Sequence, residues 1–121
     1  MAKARIPDAA GGTAVQAALA DNPTRDTTAM AVRYLLQLLA DDAPGNSVEV
    51  RVPPFGAVQC IEGPGHTRGT PPNVVETDAA TWLAIATGAE QWAEARSRGV
   101  IAASGSRADL SQHLPIRWRR G

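Results

Sequence analysis

The chain has 121 residues, 44% of them hydrophobic and 20% charged, which is the composition of one globular domain with a single core. Twelve basic residues balance twelve acidic ones, so the net charge argues against binding to nucleic acid or to an anionic membrane surface. The longest stretch without a charged residue, residues 9–20, is well short of the roughly 20 apolar residues that span a bilayer. The single cysteine, Cys60, cannot form an internal disulfide, and we expect a cytoplasmic protein without stable membrane insertion.

Changes in hydrophobic period along the chain predict one domain over residues 1–121 that combines helices with a sheet. We expect a loose N-terminus at 1–12, N-terminal helices in 13–42, a strand cluster in 47–77, a helix–helix–strand–helix unit in 78–114 and a tail at 115–121.

The strongest helical pattern covers residues 27–41, where apolar residues recur at helical spacing: Val32, Leu35, Leu36 and Leu39. A Pro-Gly-Asn turn at 44–46 ends this helix. At Ser47 the period changes from 3.6 to 2, and VEVRV at 48–52 alternates valines with charged residues. With the apolar run at 57–61 it predicts a β-hairpin.

The second half of the chain continues this alternation of elements. A short strand at 74–77 precedes a helix at 79–87, for which Asp78 is a suitable N-cap and Gly88 a suitable stop. Further patterns predict a helix at 90–98, a strand at 100–103 and a final helix at 107–113. This order is typical of an α+β fold with helices on one face of a largely antiparallel sheet.

Several segments of this half resemble the sterol carrier protein family, above all its bacterial branch. They are TWLAIATG at 81–88, AEARSRG at 93–99, VIAASG at 100–105, RADLSQHL at 107–114 and GHTRGTPPNVVETD at 65–78. The resemblance implies a five-stranded mixed sheet, whose third strand would fall at 65–69, with an apolar tunnel between sheet and helices. The helices at 79–87 and 90–98 would form the tunnel wall and the final helix a lid. Members of the family hold sterols, fatty acyl groups or phospholipids with low selectivity.

On this resemblance, a set of apolar residues would line the tunnel and contact a lipid chain: Trp82, Leu83, Ile85, Trp92, Val100, Leu110 and Leu114. The same residue types at the same spacing are equally typical of a closed core. The helices that precede the sheet could fill the space that a ligand would need, because protein interiors pack densely.

His66 and Arg68 are two residues apart and would share one face of a strand. An arginine there could bind the carboxylate or phosphate head group of a ligand, with the histidine as a further donor. The alternative is an edge strand whose polar residues form an ion pair with Glu62 or Glu76.

Catalytic and metal sites find little support in the sequence. Cys60 alternates with Val58 on a strand face, as a small buried residue would, and the two histidines and one cysteine show no metal-ligand spacing. Gly63 to Gly69 departs by one residue from a dinucleotide fingerprint and precedes Thr-Pro-Pro rather than a helix.

We therefore expect a non-enzymatic protein, without metal or cofactor, that binds or carries a lipid, fatty acyl or sterol-like molecule. The alternatives are an accessory domain with a closed pocket that binds a protein partner, and a small enzyme that uses His66.

Overall fold

The structure, a computed structural model, describes residues 4–64 and 73–119. Its helices are α1 (Asp8–Ala18), α2 (Arg25–Asp42), α3 (Ala79–Thr87) and α4 (Trp92–Ser97), and a 3₁₀ helix covers Ser111–His113. Its strands are β1 (Val48–Val52), β2 (Gly56–Cys60), β3 (Asn73–Thr77) and β4 (Ile101–Ser104). Within the described ranges, none of the helices combines the length and the apolar character needed to cross a membrane.

The N-terminal helix begins at Asp8, so the expectation of a loose segment at 1–12 is wrong for residues 8–12. Packing against α2 explains the difference, because it stabilises a Gly-Gly sequence that would not form a helix alone. Gly11 is buried, and a Cβ there would overlap the ring of Tyr34. The buried Tyr34 hydroxyl donates to Asp8 Oδ1 at 2.7 Å.

Helix α2 has the amphipathic pattern that the sequence predicts. It begins after Thr24, whose side chain accepts a hydrogen bond from the Thr27 backbone N–H at 3.1 Å. The predicted apolar stripe is fully buried: Val32, Leu35, Leu36 and Leu39. This stripe covers the sheet and forms much of the hydrophobic core.

The four described strands form a mixed sheet in the order β2-β1-β3-β4. The predicted hairpin is confirmed, with β1 and β2 antiparallel and Val50 opposite Val58. The central pair, β1 and β3, is parallel, whereas β3 and β4 are antiparallel. The α+β class is confirmed. The structure describes four strands where five were expected, and one of the three strand pairs is parallel. The third strand expected at 65–69 lies outside the described residues.

One face of the sheet is apolar and covered by helices, and the other is polar. The inward face carries Val48, Val50, Val52, Cys60 and Val75, all fully buried. The opposite face includes Arg51, which pairs with Glu49 at 3.2 Å and is only partly buried. The alternation of β1 in the sequence therefore predicted its orientation correctly.

Helix α3 has the predicted bounds and both predicted caps. Asp78 Oδ1 accepts from the Thr81 backbone N–H at 2.8 Å, and Gly88 has the left-handed conformation, with φ of 88°. The predicted last helix at 107–113 is wrong, because only the short 3₁₀ helix forms there. The Arg107 N–H instead donates to Oδ1 of the buried Asn73 at 2.9 Å, and Asp109 Oδ1 accepts from the Ser111 N–H at 2.8 Å. These local bonds hold the segment in turns.

Candidate functional site

The residues expected to line a tunnel lie together, in the core between α2, α3 and the sheet. Trp82 is fully buried, and its indole N–H donates to the Val32 carbonyl oxygen at 3.3 Å. The other buried members of the set are Leu83, Ile85, Trp92 and Leu110, and Val100 and Leu114 are partly buried against them. Side chains of α2 belong to the same cluster. Helix α2 therefore occupies the space beside Trp82.

Part of this set borders open space, and Val100 also lines a surface depression beside Glu76 and Thr77. Ile85, Trp92 and Leu114 line a small hollow of about 140 Å³ between α3, α4 and the 3₁₀ helix. This volume is below the 300–1,000 Å³ typical of small-molecule sites.

A larger groove lies between residues 4–6, helix α2 and strand β2. Its volume is about 500 Å³, within the range of small-molecule sites. Its apolar lining comes from all three segments: Ile6, Met30, Leu36, Ala40, Phe55 and Val58. The groove is open to solvent along one side, and Met30, Phe55 and Val58 are half-buried.

The N-terminal wall of the groove is fixed to α2 by polar contacts. The Ile6 backbone N–H donates to Gln37 Oε1 and the Ile6 carbonyl accepts from Gln37 Nε2, both at 3.0 Å. Arg5 forms a two-point ion pair with Asp41, with distances of 2.6 and 3.1 Å. The pairing with Asp41 raises the pKa of Arg5. Residues 4–6 therefore lie along α2 and close this side of the groove.

At the opposite end of the groove, the polar groups next to the lining are two arginine side chains. Arg33 Nε donates to the Phe55 carbonyl oxygen at 3.0 Å, and the guanidinium of Arg25 lies 5.1 Å from the centroid of the Phe55 ring. Strand β2 approaches α2 closely here, because a Cβ at Gly56 would lie 3.5 Å from both Arg33 Cγ and Leu36 Cδ1. Phe55 is thus part of the apolar lining of the groove and also contacts two cationic side chains.

The groove was missed in the sequence analysis because its walls are distant in the sequence. The apolar stripe of α2 predicted only the core face, and the polar side chains of Arg33, Gln37 and Asp41 on the other side are typical of a solvated surface. Met30 and Ala40 on that side, with Phe55 in the hairpin turn, are the one signal that could have indicated a second apolar surface.

The other predicted functional residues are His66, Arg68 and Cys60. His66 and Arg68 lie outside the described residues. Cys60 is fully buried, and burial raises the pKa of its thiol to about 11, so the thiolate needed of a nucleophile is scarce at neutral pH. Among residues 4–64 and 73–119, no three histidine, cysteine or carboxylate side chains cluster in a way that could hold a metal ion.

Comparison with known families agrees with this architecture. The sequence model described as "Bacterial SCP ortholog" matches residues 24–116, which include α2, the whole described sheet and both short helices. The chain therefore belongs to this bacterial sterol carrier-like family. A search of curated proteins finds no match.

Proposed function

We propose that this protein is a non-enzymatic carrier that binds a lipid-like small molecule, with the ligand's apolar chain in the groove between residues 4–6, α2 and β2. The observation that carries the proposal is the groove itself, which is largely apolar and has a volume of about 500 Å³. Membership of the bacterial sterol carrier-like family supports an apolar ligand.

Burial of the ligand's chain would provide most of the affinity. Each methylene removed from water contributes roughly 0.8 kcal/mol, so a ten-carbon chain that was fully buried would contribute about 8 kcal/mol. An open groove buries only part of a chain, and association costs at least about 4 kcal/mol. At most about 4 kcal/mol then remains, so we expect millimolar or weaker binding of a single ten-carbon chain, as suits a carrier that must release its ligand.

The packing around Trp82 favours a second candidate function, an accessory domain that binds a protein partner. Trp82 and Leu110 are fully buried, and a ligand could reach them only if the elements packed around them moved. A protein of this kind would use its surface and would bind no lipid in the groove.

Native mass spectrometry of freshly purified protein, followed by extraction and identification of any bound molecule, tests the two functions. The carrier predicts a bound mass of a lipid-like molecule, or uptake of decanol or decanoate in a calorimetric titration. Protein that is purified empty and binds neither compound would contradict the carrier and favour the accessory domain.

A further inference from the structure

We propose that the Phe55 end of the groove is an anion subsite formed by Arg33 and Arg25, and that the ligand is a single-chain amphiphile with a carboxylate or phosphate head group. This inference rests on the proposed function, since the subsite would orient a molecule whose chain lies in the same groove. It adds the class of head group and the direction in which the ligand enters.

The two ends of the groove differ in charge. At the end near residues 4–6, Arg5 is neutralised by Asp41 at 2.6 Å. At the Phe55 end, neither Arg25 nor Arg33 forms an ion pair within the part of the chain that the structure describes. The lining of the groove includes Arg5, Arg33 and Asp41 as charged residues, so its uncompensated charge is positive and lies at Arg33.

Arg33 is held in place for the task that we assign to it. Its Nε is occupied by the Phe55 carbonyl at 3.0 Å, which fixes the plane of the guanidinium beside the apolar floor. That bond leaves the two Nη groups as donors. A guanidinium presents such donors in a planar fork that matches two oxygens of a carboxylate or phosphate.

Arg25 adds positive charge at the same end. Its guanidinium lies over the Phe55 ring, 5.1 Å from the centroid, an arrangement that cation–π attraction stabilises. Because Phe55 also lines the groove, a head group bound to Arg33 would lie near a second cation. The subsite is therefore specific for negative charge rather than for one head-group shape.

The axis of α2 gives the direction of the bound chain. Arg33 and Asp41 lie about 12 Å apart along the axis of α2, and the apolar lining residues Leu36 and Ala40 lie between them in the sequence. An extended chain anchored at Arg33 would thus run along α2 toward residues 4–6.

Three ligands with one ten-carbon chain and different head groups test the subsite: decanol, decanoate and decyl phosphate, each titrated calorimetrically, decanol below its solubility limit and the two anions below their critical micelle concentrations. We expect both anions to bind about tenfold more tightly than decanol, a modest factor because the arginines are exposed. This preference should shrink at high salt, since exposed charges are screened. A carboxylate and a phosphate ligand are distinguished by their relative affinities.

Arg33→Gln provides the decisive variant, and Arg96→Gln is its matched control. Arg96 is also exposed and also donates to a backbone carbonyl, that of Ile101 at 3.3 Å, but it lies on α4, away from the groove. We expect Arg33→Gln to remove most of the tenfold preference for the anions over decanol, Arg33→Lys to keep part of this preference, and Arg96→Gln to leave it as in the wild type.

Three results would overturn the subsite. If decanol bound as tightly as the anions, the anion subsite would be wrong but the carrier function would still hold. The same conclusion would follow if Arg33→Gln lowered the affinity for all three ligands equally. Failure of all three ligands to bind would overturn the carrier proposal and the subsite together.

Discussion

Replacement of Trp82 by alanine is expected to lower the free energy of unfolding by about 3–5 kcal/mol, the range found for large aromatic residues in packed cores. Trp82 is fully buried and contributes one of the largest side chains of the core. The variant also leaves the Val32 carbonyl without the indole donor at 3.3 Å. Urea denaturation, followed by far-ultraviolet circular dichroism, measures this loss.

Trp118→Ala is the matched control for this prediction, because Trp118 is the same residue type but only half-buried against the core. It should cost clearly less than Trp82→Ala. A loss below about 1 kcal/mol for Trp82→Ala, as at a surface position, would mean that this side chain faces open space. That result would favour a tunnel between the sheet and α3.

Replacement of Ala40 by phenylalanine is expected to weaken binding of decanol by about 30-fold. Ala40 is half-buried and lines the groove on α2, so a phenyl ring there would occupy space needed by the chain. Displacement of two to three methylenes from the groove loses roughly 2 kcal/mol, which is about 30-fold in the dissociation constant. Isothermal titration calorimetry with decanol measures the change.

Ala84→Phe is the control for the groove-filling variant, since Ala84 is also a half-buried helical alanine but lies on α3. It should leave decanol binding unchanged. If Ala84→Phe abolished binding and Ala40→Phe did not, the ligand would lie beside α3, as the resemblance to the sterol carrier family first implied.

The elements that local patterns determine were predicted well from the sequence. The apolar stripe of α2, the alternation of β1, and the caps of α3 at Asp78 and Gly88 all have a physical cause within a few residues. The structure confirms each of them.

The elements that depend on distant contacts were predicted poorly. Helix α1 begins early because Gly11 allows contact with Tyr34 on another helix, and the last predicted helix is replaced by turns where Asn73 bonds the Arg107 N–H. Neither contact has a signal in the local sequence, because tertiary packing overrides propensity.

For the candidate site, too, the features with a local sequence pattern were predicted and those that depend on distant contacts were not. Membership of the family was predicted from motifs at 65–114, and the model match over residues 24–116 confirms it. The groove, however, requires residues 4–6, α2 and β2 to lie side by side, and no single segment contains its pattern. The predicted lining set lies in a packed core, so its role as a ligand contact remains a proposal.

The most direct test of the account is amide mapping by nuclear magnetic resonance during titration with decanoate. The carrier proposal predicts that the largest shift changes occur at residues that border the groove, including Ile6, Gln37 and Val58, with α3 and α4 little affected. Largest changes around Trp82 and Trp92 would contradict the groove as the binding site and would place the ligand within the core.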